Sequence, residues 1–333
     1  MGDQSFKGAD VRSQQTNNCS SDSEAAMVGF LAANKGGRFP GLQHANHDLC
    51  GCEHKPPTPN VSTYNVSTSS LSAFYLKHLV GDRGTDCKYV GGLEVGALNH
   101  PAPVPDCARD GMLYVDQVGS SELHALYPEL RNKSITSVQL LDDGNVLSQV
   151  PSASRGFLIA SHVIEHMPHT LLAVESWLRV VRGGGIVLIR APWKCISFDR
   201  SRPVTSWSHF MSDYHRGVDM DADVLWLEHL PEWTMSHLQH LCGTPGGTVG
   251  SGCAAHFSSW HSHFVDRVLN QNFMRRGGVH FHTWTQQSWL EFWWRAHRAL
   301  GPKVPFRVQD VGVETLDDGA TDLFAVLSRK HGS

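Results

Sequence analysis

The chain has 333 residues, of which 41% are hydrophobic, and its ten tryptophans and fourteen phenylalanines suffice for a large buried core. A formal net charge of -4 gives no reason to expect nucleic acid as a partner, because that would need a concentrated basic face. No apolar run approaches the roughly 20 residues of a membrane span, so no contact with a membrane is expected.

The N-terminus and the cysteines predict a cytoplasmic protein. The opening stretch MGDQSFKGADVRSQQTNN has no apolar signal-peptide core, so export is not expected. Without export, the eight cysteines are expected to be reduced thiols. The cluster Cys50, Cys52 and His54 and the segment from Cys253 to His263 resemble metal ligands, but they lack the paired CxxC spacing of zinc sites. No metal is therefore predicted.

Residues 1–70 are rich in Ser, Asn, Gln, Thr and Gly, which predicts a low-complexity, largely disordered N-terminal extension. The following stretch SSLSAFYLKHLVG predicts a helix that is capped by Ser69 or Ser70 and ends at Gly81. Strands are then expected in KYVGGLEVG, GMLYVDQV, ITSVQLLDDG, RGFLIASHVIEH and IVLIRAPW. Residues 71–333 are predicted to form one domain.

Helices are predicted between these strands and after them. SSELHALYPEL indicates a short helix, and TLLAVESWLRVVRGGG indicates an amphipathic helix that Gly183 to Gly185 terminate. TQQSWLEFWWRAHRALG is the last predicted helix, followed by strands in FRVQDVGVE and DLFAVLSRK. This alternation implies an α/β, Rossmann-like open sheet of mostly parallel strands. Residues 196–278 break the alternation and are expected to form a helical and loop cap over the strand ends, where such sheets bind ligands.

Acidic and small residues follow the predicted strands. An acid after the second strand suits a ribose, because a carboxylate accepts hydrogen bonds from both hydroxyls of the diol, each worth about 1.5–3 kcal/mol. An acid followed by glycine after the third strand suits an adenine. The residues concerned are Glu94 and Gly96 after the first strand, Asp116 after the second, Asp142 to Gly144 after the third, and Ser161, His162, Glu165 and His166 after the fourth.

The stretch FLIASHVIEHMPHTLLAVESWLRVVRGGGIVLIRAP resembles the motif region of class I S-adenosylmethionine-dependent methyltransferases. The upstream segments LEVGALNHPAPVP, YVD and DDG are similar to a subgroup in which proline replaces the later loop glycines, as are the downstream FDRSRPVTSW and HFHTWTQQSWLEF. The resemblance covers roughly residues 88–330 and is most specific from Ile159 to Pro192. It implies a sheet of seven strands, the last of them antiparallel.

The resemblance implies S-adenosylmethionine as the cofactor. Carried over by position, Glu94 and Gly96 would lie by its methionine part, Asp116 by the ribose, Asp143 and Gly144 by the adenine, and Ser161 and His162 beside the sulfonium. The sequence departs from the family pattern at Ala97 and Asn99, where glycines are typical, and at Arg155-Gly156. Too few residues separate Gly96 from Leu113 for a regular crossover helix, so the loop backbone around Ala97 is expected to supply the donors.

Several of these residues have a structural alternative. Glu94 can be an ordinary acid at a strand end, and Asp142 is expected to be a solvated turn residue. His162 can be a core histidine, and Glu165 and His166 can simply open the next helix. Arg200 and Arg202 either hold an anionic group of the acceptor or pair with Asp199 or Asp213 and pin the insertion.

Methyl transfer is an in-line displacement, in which alignment alone can be worth about 7–11 kcal/mol. A base is expected from the insertion or from the fourth strand, and the candidates are His162, His209, Asp213, Tyr214, His280 and His282. The predicted acceptor is a small molecule or a glycan-linked group. Three alternatives stay open: a scaffold domain that lost its cofactor, a nicotinamide oxidoreductase, which would lack its GxGxxG fingerprint, and a metal-dependent enzyme that uses the histidines of the insertion.

Overall fold

The computed structural model describes residues 68–80, 86–127, 130, 132–217, 279–317 and 319–331. The predicted extension at 1–70 lies outside the described residues except for its last three positions. Gly81, both cysteine-containing clusters and residues 218–278 of the predicted cap also lie outside them. The division into extension, domain and cap therefore stays a prediction.

A single eight-stranded sheet organises the described residues. Its spatial order is β1-β7-β8-β6-β5-β2-β3-β4. Strand β8 runs antiparallel to β6 and to β7, and every other neighbouring pair is parallel. Apart from the two-residue β1, this is the predicted Rossmann-like α/β sheet of seven strands with the last one antiparallel. The strands are β1 (Thr68–Ser69), β2 (Gly92–Val95), β3 (Leu113–Asp116), β4 (Leu140–Leu141), β5 (Arg155–Ser161), β6 (Val181–Pro192), β7 (Phe306–Leu316) and β8 (Thr321–Arg329).

Six α-helices accompany the sheet in the described ranges, and their ends follow from local capping. The Ser70 side chain accepts the Ala73 N–H at 3.2 Å and begins the first helix, while Thr285 and Ser288 form a capping box at the last. None of the helices in these ranges is long and apolar enough to cross a bilayer. The helices are α1 (Leu71–Leu79), α2 (Asp106–Arg109), α3 (Ser120–Leu126), α4 (Thr170–Val180), α5 (Trp207–Arg216) and α6 (Gln286–Leu300).

The central strands are buried on both faces, which explains their nearly continuous apolar sequence. In β5, Leu158 and Ala160 belong to a core cluster with residues of α4 and α6. The alternate residues Phe157 and Ile159 belong to a second cluster, together with Phe74 of α1. Because successive side chains of a strand point to opposite faces, β5 joins two hydrophobic layers.

The prediction that Gly183 to Gly185 terminate a helix was wrong. Helix α4 ends at Val180, and β6 begins at the next residue, where Val181 pairs with Arg155. The glycines lie inside β6, where the register with β5 shifts before Phe157 meets Ile186. Gly184 has φ +78°, and a Cβ there would lie 2.7 Å from Nε2 of His331. The absence of a side chain at this position therefore allows His331 of the C-terminal segment to lie close to β6.

The prediction of reduced cysteines was also wrong. Cys87 and Cys107 form a disulfide with a Cα–Cα distance of 5.5 Å, and Cys195 is disulfide-bonded as well. The bond joins the segment before β2 to the one-turn helix α2. Twenty residues separate the two cysteines, and they meet because the chain returns across β2 before it enters β3. Spacing alone does not show this proximity.

Candidate functional site

The strand order reverses beside β2, which makes this edge of the sheet the expected ligand site. The chain passes from β2 outward to β3 and β4, and then returns to the other side of β2 with β5. Open α/β sheets bind ligands at such a switch point, outside the carboxyl ends of the strands. Val95 pairs with both Val115 and Ala160, and Asp116 pairs with Leu141. The ends of β4, β3, β2 and β5 therefore line up over three strand spacings, about 14 Å.

The loop after β2 is built from tight turns. Gly96 has φ +65° and Leu98 has φ +46°, both in the left-handed region that favours glycine. The Gly96 N–H donates to the Val115 carbonyl at 3.0 Å, and the Leu98 carbonyl accepts the Thr136 N–H at 2.7 Å. Helix α2 starts only at Asp106 and has one turn. The structure thus contains no long helix directly after Gly96, as the sequence predicts, and the backbone near Ala97 lies at the strand ends.

Glu94 closes this loop. Its side chain is almost completely buried, with 1% of the residue exposed, and both carboxylate oxygens accept the Ala102 N–H at 2.9 and 3.1 Å. Burial raises the pKa of Glu94 to about 7, and the hydrogen bond from Ala102 partly offsets this increase. Glu94 therefore has a structural function in the proline-rich loop, and its contact with a cofactor stays a prediction.

Asp116 ends β3 at the middle of the edge. Its Oδ1 accepts the Gln117 N–H at 2.7 Å, and the residue is half-buried. Burial raises the pKa of Asp116 to about 6, against the lowering effect of the Gln117 and Val118 N–H groups. At neutral pH the carboxylate is therefore mostly ionised. Its carboxylate oxygens can accept further hydrogen bonds, and a contact of Asp116 with a ribose stays a prediction.

The two acids after β4 differ from each other. The expectation that Asp142 is a solvated turn residue was wrong, because it is 8% exposed and its carboxylate accepts from Asp143 N at 2.9 Å, Ser148 Oγ at 3.0 Å and Gln149 N at 2.7 Å. Asp143 is exposed and accepts from the backbone and side-chain amides of Asn145. Asp142 thus holds the loop, while the contact of Asp143 and Gly144 with an adenine stays a prediction.

His162 directly follows β5 at this edge of the sheet, and its side chain is partly exposed. Its backbone has φ +54°, its side chain is 46% exposed, and Nε2 lies 3.1 Å from Oδ2 of Asp322. Arg190 donates to the same carboxylate oxygen at 2.5 Å. Burial lowers the pKa of His162, but its hydrogen bond with Asp322 and the charge of Glu165 raise it more, so that the pKa lies above its ordinary value. Ser161 precedes it and is half-buried.

Sequence reasoning missed the residues that support His162. Asp322 and Arg190 lie on β8 and β6, and the phenol of Tyr75, from α1, lies close to Ser161 and Arg190. Burial raises the pKa of Tyr75 beyond any physiological pH, so it stays neutral. One available signal was Arg190 itself, a single charge inside the buried strand IVLIRAP.

His280 belongs to a second polar cluster beyond β5. Its Nδ1 lies 2.6 Å from Oδ2 of Asp199, whose other oxygen accepts from Nη1 of Arg202 at 2.7 Å. Of the two functions predicted for Arg202, the structure contains the ion pair with Asp199, and both side chains are buried. Burial raises the pKa of Asp199, but His280 and Arg202 lower it by more. The pKa of Asp199 therefore lies below its ordinary value. Glu165 and His166 complete this cluster.

The remaining base candidates lie apart from His280. On α5, Nε2 of His209 lies 3.0 Å from Oδ2 of Asp213, and the buried ring of His282 packs 4.8 Å from Phe210. Tyr214 donates its hydroxyl hydrogen to Glu175 of α4 and accepts from Lys303. The rings of His280 and His282, two positions apart in the chain, therefore belong to different clusters.

Among known proteins, similarity to this chain is found only with solved structures. No family model matches the chain, and no curated protein matches it. The CurJ carbon methyltransferase is 12% identical, with a TM-score of 0.33, over 74% of this chain and 50% of its own length. The trans-methyltransferase CalH, in complex with SAH, is 12% identical over 73% and 51%, again with a TM-score of 0.33.

A protein from Rhodobacter sphaeroides described as a zinc-dependent alcohol dehydrogenase is 13% identical, with a TM-score of 0.35, over 77% of this chain and 88% of its own. This chain spans about half the length of the CurJ and CalH methyltransferases. Similarities this low assign no activity to the chain.

Proposed function

We propose that this protein is an S-adenosylmethionine-dependent methyltransferase that acts on a small-molecule or glycan-linked acceptor. The observation that carries the proposal is the edge of the sheet at the switch point, where the ends of β4, β3, β2 and β5 bring together Asp143, Asp116, Gly96 and Ser161. The spacing of these ends, about 14 Å in total, suits an extended nucleoside ligand. The resemblance of residues 159–192 to the methyltransferase motif region supports the same conclusion.

The residues at this edge fit such a cofactor. The half-buried carboxylate of Asp116 would accept from the ribose hydroxyls, and Asp143 with the backbone of Gly144 would face the adenine. Gly96, with φ +65°, allows the tight turn that leaves the loop backbone near Ala97 at the strand ends. Bound S-adenosylmethionine would supply an activated methyl group with a good leaving group, so the protein mainly has to align donor and acceptor.

Within this proposal, His162 is the candidate that contacts the reacting groups. Its half-exposed ring is held at the end of β5 by Asp322, which fixes its orientation. His209, Asp213 and Tyr214 are engaged with one another or with Glu175, and serve the fold of α5. The acidic balance of the chain favours a small or glycan-linked acceptor over nucleic acid.

A specific observation favours a second candidate, a binding or scaffold domain without a cofactor. Glu94, which the resemblance assigns to the cofactor, already uses both of its oxygens on Ala102. A carboxylate that closes its own loop fits a domain that kept the fold after it lost the ligand. This alternative predicts no binding of S-adenosylmethionine.

Calorimetry with S-adenosylmethionine and with its demethylated product separates the two. For the methyltransferase we expect binding that weakens at least about tenfold in Asp116→Ala, because charge-assisted hydrogen bonds of about 1.5–3 kcal/mol each are lost. Asp110→Ala, which removes an exposed acid from the same crossover, is the matched control and should bind like the wild type. Absence of binding at about millimolar cofactor would leave the scaffold function.

The cellular compartment of the protein is a further part of this proposal. A cytoplasmic location, predicted from the N-terminus, stays a prediction, and the Cys87–Cys107 disulfide weighs against it because disulfides persist mainly in oxidising compartments. Alkylation of free thiols in freshly lysed cells, followed by mass spectrometry of the Cys87 and Cys107 peptides, tests this. Alkylated peptides would support the cytoplasm.

A further inference from the structure

Glu165 is a buried acid without an adequate partner in the described part of the chain. It lies in the 3-10 turn Ile164–His166 after β5, is 0% exposed, and neither of its carboxylate oxygens accepts a hydrogen bond from another described residue. A buried carboxylate that lacks hydrogen bonds is costly unless a cation compensates it. Three histidine nitrogens surround its Oε1: Nδ1 of His162 at 3.6 Å, Nε2 of His166 at 3.9 Å and Nε2 of His280 at 4.0 Å.

Two of these histidines are oriented by their other ring nitrogen. Nδ1 of His166 lies 2.9 Å from the Val279 carbonyl, which can only accept, so Nδ1 carries the hydrogen and Nε2 keeps a lone pair. Nδ1 of His280 lies 2.6 Å from Oδ2 of Asp199 in the same way. Carbonyl and carboxylate groups in this position are the usual supports of metal-binding histidines. Both supports fix the Nε2 atoms toward Glu165.

We propose that Oε1 of Glu165 and the Nε2 atoms of His166 and His280 bind a divalent transition-metal ion, Zn²⁺. Two imidazoles and one carboxylate form a three-ligand zinc set that leaves a fourth position open. The three ligand atoms lie within 4.8 Å of one another. Bonds of about 2.0–2.1 Å in a tetrahedral site separate ligand atoms by about 3.4 Å, so binding requires shifts of about half an ångström. The site does not depend on the proposed methyl transfer.

The metal would join two distant parts of the chain. Glu165 and His166 follow β5, whereas His280 lies just before α6, and residues 167–279 separate them in sequence. The Glu165 carbonyl already accepts the Phe281 N–H at 2.7 Å, so the two segments are in contact without the ion. A ligand that binds only the folded state stabilises it by mass action. We therefore expect Zn²⁺ to raise the melting temperature of the protein.

A second group of potential ligands provides the internal control. His209, Asp213 and His282 also bring their ligand atoms within 4.8 Å of one another. Here the acid is already paired, because Oδ2 of Asp213 lies 3.0 Å from Nε2 of His209. Glu165 has no contact of comparable length to a histidine, which distinguishes the proposed site.

The test uses the full chain without a polyhistidine tag, stripped with a chelator and titrated with Zn²⁺ and with Co²⁺. We expect one equivalent of Zn²⁺ that is lost or weakened at least about tenfold in Glu165→Gln and in His280→Gln, and a Co²⁺ visible spectrum that disappears in the same variants. His209→Gln should bind like the wild type. Asp199→Asn weakens the support of His280 and also removes the charge that pairs with Arg202; where circular dichroism shows that this variant folds, its binding should be about 10–100-fold weaker.

If His280→Gln fails to fold, Glu165→Gln alone tests the proposal. The Glu165→Gln substitution keeps the shape of the side chain and removes a buried charge. Circular dichroism of the stripped variants verifies the fold, and the Zn²⁺-dependent rise in melting temperature should be absent from folded Glu165→Gln. Wild-type protein that binds no Zn²⁺ at about millimolar concentration, or equal binding by wild type, Glu165→Gln and His280→Gln, would overturn the proposal.

Discussion

The acids on the two sides of β5 are held in different ways. Toward β4, Glu94, Asp116, Asp142 and Asp143 accept mainly from backbone N–H groups within eight residues of themselves. Beyond β5, Asp199 and Glu165 face histidines and an arginine, and His280 is more than a hundred residues from Glu165 in the sequence. The first region is assembled by local turns, whereas the second exists only when the complete fold brings its charges together. Variants of single residues should therefore have different effects in the two regions.

The largest effect is expected from Arg202→Ala, which leaves the buried Asp199 carboxylate without its arginine. Removal of one partner from a buried ion pair typically costs about 3–5 kcal/mol of unfolding free energy. Denaturant unfolding monitored by fluorescence measures this cost. The neighbouring Arg200→Ala removes an exposed guanidinium and should change the unfolding free energy by less than about 0.5 kcal/mol. Equal effects of the two variants would contradict the assignment of Asp199 as a buried charge.

A pH-dependent effect of similar size is expected at Glu94. Burial raises its pKa from an ordinary value of 4.5 to about 7, so its contribution to stability is present below pH 4.5 and is lost as the pH rises through 7. Glu94→Gln keeps an acceptor for Ala102 and removes the charge. At pH 8 it should therefore exceed the wild type in unfolding free energy, on the order of 3 kcal/mol, and the two should converge near pH 4.

The neighbouring Tyr75 and Tyr114 do not add to the difference in pH dependence between the wild type and Glu94→Gln. Burial raises the pKa of both phenols above its ordinary value, so they stay neutral over the pH range of the comparison. Parallel stability curves of wild type and Glu94→Gln from pH 4 to pH 8 would show that Glu94 does not titrate in this range.

A smaller cost is expected from Gly96→Ala in the loop after β2. The φ of +65° is unfavourable for alanine by about 1–2 kcal/mol, and the added Cβ would lie 3.1 Å from Cγ2 of Val163. Thermal unfolding measures the cost. Gly119→Ala is the matched control, because a Cβ there meets nothing within 4 Å and the φ is negative. The proposal of a cofactor at this loop adds that Gly96→Ala, but not Gly119→Ala, weakens S-adenosylmethionine binding.

The smallest effect is expected from Ser148→Ala, which removes one of three hydrogen-bond donors to Asp142. The Asp143 and Gln149 N–H groups remain, so the cost should be about 0.5–1.5 kcal/mol or less. A loss as large as that of Arg202→Ala would mean that local backbone donors do not hold the acids of this region, and would remove the difference between the two sides of β5.

The sequence by itself determined the order of the strands and helices and the acids that follow them. The apolar runs of β5 and β6, the caps at Ser70 and Thr285, and the short connection after Gly96 all depend on residues close in the chain, so local patterns predict them. The same locality explains why Asp116 and Asp143 were placed correctly at the ends of β3 and β4. Their function as cofactor ligands stays a prediction.

Only the tertiary structure decided the contacts between distant residues. The pairing of His280 with Asp199, the approach of Glu165 to His280, the Asp322 carboxylate beside His162 and the disulfide between Cys87 and Cys107 all require the chain to close long loops. The free energy of such closures depends on the packing of the complete sheet, and a pattern of neighbouring residues does not contain it. For this reason Glu165 is interpreted as an ordinary helix-opening acid from the sequence, whereas in the fold it is a buried acid surrounded by three histidines.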